Sequence, residues 1–167
     1  SGRPYEDCRP EDIAHMAMDG SWQGPFAPSS EWRIHRDILA ARPEAGAVLH
    51  AHSPFATALA CHRRGIPAFH YMIARFGGSD IRCAPYATFG TQALSDGALA
   101  ALEGRCACLL ANHGMLVLGP DLPRTLALAL LPPGRHGSIR STRPRPLCRA
   151  PLASPVLSSG GTTCRLV

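Results

Sequence analysis

Three histidines and one glutamate are the residues of this chain whose types and spacing could do chemistry. In His50-Ala51-His52 both imidazoles share one face if the segment is a strand, because side chains alternate along it. Such a chelating pair offers two of the three ligands of an open zinc site. The pair alone does not tell a ligand from a satisfied structural histidine. His113 supplies the third: Asn112-His113-Gly114 reads as a tight turn between two apolar runs, where coordination offsets the cost of burying an imidazole. Three neutral imidazoles leave Zn2+ its full charge and open positions. That suits a carbonyl with an adjacent hydroxyl, and the enediolate formed when a proton is removed. Glu31 begins a helical segment beside Ser29 and Ser30, which makes it the candidate base and makes the two hydroxyls candidate phosphate ligands. In isolation these would be an ordinary first-turn acid and N-capping serines. Taken together, they describe metal-assisted chemistry on a phosphorylated hydroxy-ketone.

The elements that must position these residues alternate between helical and extended segments, the pattern of a mixed α/β domain. Glu31 to Arg42 carries apolar residues mostly three or four apart and is stopped by Pro43, which predicts a helix. Residues 45–52 read as a short buried strand, and Ser53-Pro54 opens a helix running to about Arg64. Ala68 to Ile73 and Ile81 to Ala84 read as further strands, and Leu94 to Leu102 as a helix. Cys106 to Ala111 and Gly114 to Leu118 read as a β-hairpin with His113 in its turn, followed by a helix from Leu122. The remaining histidines, His15, His35, His62 and His136, read as surface or satisfied structural residues, with His70 set apart from them.

Composition narrows the chemistry further. The chain has 167 residues, 46% hydrophobic and 17% charged, enough for one domain with a core. All 17 basic residues are arginine, so no lysine is present to form a Schiff base or complete a GxxxxGK[ST] phosphate loop. The formal charge of +5 is uneven, because residues 131–167 hold six arginines and no acid. Seven cysteines without small-knot spacing, and no segment resembling a signal peptide or membrane span, predict free thiols in a reducing cytoplasm. Cys106-Ala107-Cys108 lies in an apolar run and reads as small core residues rather than a metal pair.

Five ordered motifs give the sequence a resemblance to the class II aldolase/adducin family over residues 1 to about 130. They are Pro28-Ser29-Ser30-Glu31-Trp32-Arg33-Ile34-His35, Val48-Leu49-His50-Ala51-His52, Ile66-Pro67-Ala68-Phe69-His70-Tyr71-Met72-Ile73-Ala74, Cys83-Ala84-Pro85-Tyr86-Ala87-Thr88-Phe89-Gly90-Thr91 and Asn112-His113-Gly114, with Ser1-Gly2 ahead of them. The resemblance implies a three-layer αβα fold around a largely antiparallel sheet, and a C4 homotetramer with active sites between subunits. It implies that His50, His52 and His113 bind one zinc ion per subunit and that Glu31 is the acid/base. It further implies that Gly2, Ser29 and Ser30 bind phosphate, and that Tyr71 comes from a neighbouring subunit to protonate or orient the aldehyde. The implied reaction is reversible cleavage of L-fuculose 1-phosphate, or a similar sugar phosphate, to dihydroxyacetone phosphate and L-lactaldehyde. The other activities resembling it are 4-epimerase, 3-oxo-tetronate-phosphate decarboxylase and dehydratase, and a non-catalytic adducin-like interaction module. Glu31-Trp32 in place of the epimerases' Asp favours the aldolase branch, and the intact set of three histidines and a carboxylate disfavours the module.

Two departures from the family pattern are expected to matter. The sequence begins inside the Ser-Gly motif, without the upstream phosphate loop. Residues 131–167, rich in Pro, Arg and Ser, replace the expected last helix with a tail that reads as disordered or frameshifted. On this reading residues 1–130 form the aldolase/adducin-like domain, and the truncated chain could bind metal while failing in turnover. The tail lacks interleaved aromatics, so nucleic-acid binding through it would be nonspecific and salt-sensitive, and no membrane partner is expected.

Overall fold

The computed structural model describes residues 4–131 and 163–165. Its order is β1 (His15–Ala17), β2 (Trp22–Gln23), α1 (Trp32–Ala41), β3 (Ala47–Ala51), α2 (Pro54–Cys61), a 3-10 helix (Tyr71–Phe76), β4 (Arg82–Ala84), α3 (Gln92–Ala101), β5 (Ala107–Leu110), β6 (Gly114–Gly119), α4 (Leu122–Ala129) and β7 (Thr163–Arg165), with two short 3-10 turns before β1. The central sheet runs β3-β6-β5-β4. Its pairings β3/β6 and β6/β5 are antiparallel and β5/β4 is parallel, so the sheet is largely antiparallel, as expected.

The two faces of the sheet are covered by different helices. On one side Ile34 and Ile38 of α1 and Leu94 and Ala98 of α3 pack on Cys108, Leu110, Leu116 and Leu118. On the other, Ala56 and Ala60 of α2, Ile73 and Phe76 pack on Ala107, Leu109 and Val117, with Leu128 and Ala129 of α4 against the same cluster. The alternation of β5 and β6 sends successive residues to opposite layers. Each fully buried leucine contributes roughly 1.5–3 kcal/mol of transfer free energy. The Cys106/Cys108 run is core, as the sequence suggests: Cys108 is 1% exposed, and burial pushes its thiol up to about 12. No helix among the described residues is long and apolar enough to cross a membrane.

Two features differ from the sequence reading. Residues 68–73 are not a strand. Pro67 has no N–H to give a ladder, His70 Nδ1 accepts a hydrogen bond from the Met72 N–H at 3.2 Å, and the chain turns into the 3-10 helix that Gly77 closes at φ +90°. A second sheet, β2-β1-β7, joins β1 and β2, which precede α1, to Thr163–Arg165, and is invisible to periodicity because its strands are two or three residues long. The expectation of a disordered tail lies outside the described residues, except that Thr163–Arg165 pairs antiparallel with β1.

Candidate metal centre

Three separate pieces of chain bring four side chains together. The backbone turns into α1 just after Ser29, whose carbonyl accepts from the Trp32 N–H at 3.1 Å and whose Oγ accepts from the Glu31 N–H at 3.2 Å. This leaves Glu31 at the N-cap of α1, its side chain facing β3. His50 and His52 follow each other along one face at the end of β3. His113 sits in the turn between β5 and β6, made possible by Asn112 in the left-handed region at φ 57°. Gly114 is required there, because a Cβ at that position would lie 2.6 Å from the Ala51 carbonyl oxygen and 2.7 Å from His52 Cδ2.

One ligating atom from each of Glu31, His50, His52 and His113 lies within 4.8 Å of all the others. His50 Nε2 is 3.1 Å from Glu31 Oε2, and His113 Nε2 is 3.3 Å from Glu31 Oε1. The three imidazole centroids are 4.7 to 5.0 Å apart. The Glu31 and His50 side chains are 13% and 10% exposed, so this carboxylate is held largely out of water.

Hydrogen bonding fixes which nitrogens are available. His50 Nδ1 lies 3.0 Å from the Met115 carbonyl oxygen, which can only accept, so Nδ1 carries the proton and donates. In the neutral ring Nε2 is then a bare lone pair, directed at His52 Nε2 at 3.0 Å and at the Glu31 carboxylate. Glu31 Oε1 is buried without a hydrogen bond of good geometry. Acceptors converging on acceptors in a half-buried site is the donor set of a divalent cation, with three imidazoles and one carboxylate matching zinc-type coordination. The residues fit the ion that the sequence implies.

In the metal-free site burial raises the Glu31 carboxyl, but His113 and His50, where their facing nitrogens carry protons, outweigh it and hold it well below the usual carboxylate range, so it is ionised. Burial, then His50 and His113, pushes His52 down, favouring the neutral ring a metal needs.

The other expected site residues are not in this cluster. Ser29 serves the turn into α1, and Ser30 is exposed beside Gly90, where a Cβ would approach the Ser30 carbonyl oxygen to 2.9 Å. Tyr71 begins the 3-10 helix, 77% exposed, with its ring stacked on His70 at a centroid distance of 4.7 Å. Gly2 lies outside the described residues. The sequence reading missed one contribution. The Met115 carbonyl that orients His50 is a backbone group with no sequence signal. His35, grouped in the sequence with the surface or satisfied structural histidines, is buried at 7% exposure one turn after Glu31.

Comparison with known proteins adds an independent observation. Residues 1–131 match the family described as Class II Aldolase and Adducin N-terminal domain. The chain is 58% identical over 130 residues to a 5-methylthioribulose-1-phosphate/5-deoxyribulose-1-phosphate aldolase of Rhodospirillum rubrum, covering 78% of this chain and 59% of that protein. It is 44% identical over 129 residues to the L-fuculose phosphate aldolase of Escherichia coli, covering 77% of this chain and 60% of that protein. A solved L-fuculose 1-phosphate aldolase superposes with a TM-score of 0.74 at 43% identity, covering 77% of this chain and 60% of the other. The chain thus spans about three fifths of the length of the relatives it matches.

Proposed function

Because the chain belongs to the class II aldolase and adducin family, we propose that it is a divalent-metal-dependent aldolase that cleaves a ketose 1-phosphate between C3 and C4. The observation that carries this reading is the convergence of His50, His52, His113 and Glu31 within 4.8 Å. The three imidazoles would hold the ion, and zinc is our assignment for it. Bound there, the ion supplies Lewis-acid polarisation of the substrate's carbonyl and neighbouring hydroxyl.

The chain's own residues account for the proton transfers. On cleavage the C4 hydroxyl loses its proton, the C3–C4 bond breaks, an aldehyde departs, and the electron pair left on C3 takes up a proton to give dihydroxyacetone phosphate. Glu31 is ionised and largely dry, so it is suited to exchange the proton at C3, directly or in the reverse, condensing direction. Tyr71 from a neighbouring subunit is assigned to the C4 oxygen. Its 77% exposure supports a role at an interface, as do the exposed rings of Phe55, Phe69 and Phe89. We assign the active form as a homotetramer. Ser29, Ser30 and Gly2 are assigned to the phosphate, and the five free cysteines among the described residues agree with a cytoplasmic setting.

Relatives disagree on the aldehyde half. The 58% identity to an aldolase named for 5-methylthioribulose and 5-deoxyribulose 1-phosphates favours those substrates over L-fuculose 1-phosphate. The test is release of dihydroxyacetone phosphate from each of the three, with and without chelator, after loading with zinc. Chelator-sensitive release, fastest from the ribulose derivatives, is expected. No release from any of them would overturn the aldolase reading.

A further inference from the structure

His70 is the histidine that the sequence sets apart from the structural ones, and neither the metal cluster nor the proton transfers above use it. It is the N-cap of the 3-10 helix Tyr71–Phe76, with extended backbone at φ −145° and ψ 139°. Its Nδ1 accepts from the Met72 N–H at 3.2 Å, so in the neutral ring the proton sits on Nε2. The His70 carbonyl accepts from the Ile73 N–H at 3.0 Å. Side chain and carbonyl of one residue thus bracket Tyr71.

The two ends of this helix are held differently. At the far end, Ile73 and Phe76 are buried in the cluster of Ala56, Ala60, Ala107 and Leu109. The Phe76 carbonyl there accepts from the Cys106 N–H at 2.7 Å, which ties the helix to the start of β5. At the near end Tyr71 is largely exposed, and its ring lies against His70 at a centroid distance of 4.7 Å with the planes 31° apart. Removing a side-chain cap leaves an N–H of the first turn without its partner and loosens that turn. The phenol oxygen is the atom of Tyr71 farthest from its Cα, so a small rotation of the turn displaces it most.

We propose that His70 is a positioning residue for the Tyr71 phenol: its Nδ1 caps the first turn of the 3-10 helix and so sets the direction in which the tyrosine leaves the domain. The inference rests on the assignment of Tyr71 to the C4 oxygen made above.

The test compares wild type, His70→Ala and His70→Asn as full chains. His70→Ala has no acceptor, whereas the side-chain oxygen of His70→Asn accepts from the same N–H. The first readout is fluorine NMR after incorporation of fluorotyrosine, the line lost in Tyr71→Phe being that of residue 71. This line should be broad, as for a held ring, in wild type and His70→Asn, and should narrow toward that of free fluorotyrosine in His70→Ala. The second readout is a ratio measured after loading with zinc. Release of dihydroxyacetone phosphate from the ketose 1-phosphates uses Tyr71, whereas exchange of deuterium from solvent into dihydroxyacetone phosphate uses Glu31 at C3 and not the C4 oxygen. His70→Ala should lose about 10²-fold in release, the cost of a misplaced group, with exchange at the wild-type rate. His70→Asn should recover most of the release. An unchanged Tyr71 line or wild-type release in His70→Ala overturns the proposal. Equal losses in the two variants overturn it too, as does a fall in exchange that matches the fall in release, which marks a general structural defect. Should His70→Ala fail to fold, His70→Leu, which has bulk and no acceptor, takes its place. If wild type releases no dihydroxyacetone phosphate from any of the substrates, the aldolase reading fails instead, and the fluorine lines alone decide whether His70 holds Tyr71.

Discussion

His50 Nδ1 donates to the Met115 carbonyl across 3.0 Å, and this single bond turns the other ring nitrogen of His50 toward Glu31 and His52. Strand β6 pairs with β3 so that His50 opposes Leu116 and Ala51 opposes Met115, which puts that carbonyl beside the ring. The strand next to the ligands thus sets their tautomer. Elemental analysis of protein purified without chelators should find about one divalent ion per chain. His50→Ala should lose it while keeping the fold by circular dichroism. Metal retained at full stoichiometry in that variant would remove His50 from the site.

Glu31→Gln separates binding from proton transfer. The amide keeps the size of the side chain, and three imidazoles remain, so metal should stay bound. Exchange of deuterium from solvent into dihydroxyacetone phosphate, which needs a base at C3, should fall by about 10²–10⁴. Exchange at the wild-type rate would show that another group moves the proton.

Gly114→Ala tests the turn beneath the cluster. The added Cβ would meet the Ala51 carbonyl at 2.6 Å and His52 Cδ2 at 2.7 Å, and the first of these is backbone that cannot swing aside. A cost of about 1–3 kcal/mol in urea unfolding is expected from such overpacking. Metal affinity should fall as well, because β3 and His52 must shift together. An unchanged urea midpoint with full metal binding would mean that the hairpin gives way at no cost.

The parts legible in the sequence were those with either long periodicity or strong punctuation. The helix after Ser30 and the hairpin around Asn112-His113-Gly114 lie where their residues indicate, and the ligands could be named because side-chain type and strand alternation are sequence properties. The segment after Pro67 misled because its aromatic run suits a strand, whereas a histidine side chain capping its own backbone decides for the 3-10 helix. The first sheet had one available signal, Asp19-Gly20. Asp19 accepts from both the N–H and the hydroxyl of Ser21, and Gly20 takes φ +91°, the chemistry of a tight hairpin turn. What no sequence pattern carries is contact between backbone and side chain at a distance, as between Met115 and His50.

Acid should destabilise the metal-free protein in two stages. Burial, and then the nearby His50, push His35 down from 6.5 to about 4, so between those values the unfolded chain binds a proton that the folded one refuses. Stability is then fully present above about pH 6.5 and is lost as pH falls toward 4, by about 3 kcal/mol for that shift. His52, pushed down chiefly by burial, acts with the same sign. Below this range a second loss begins, because Asp37 is held low by Ser95, Gln92 and Arg36 against the opposing effect of burial, and Glu31 is held low by His113 and His50. Those carboxylates stabilise the fold above their unfolded values and cease to do so once protonated. Urea midpoints of chelated protein between pH 7.5 and 3 should therefore fall steadily. In His35→Gln, which has no proton to take up at that position, most of the slope between pH 6.5 and 4 should disappear while the steeper loss below pH 4 remains. An identical slope in both proteins would assign the acid sensitivity to the metal-site imidazoles alone.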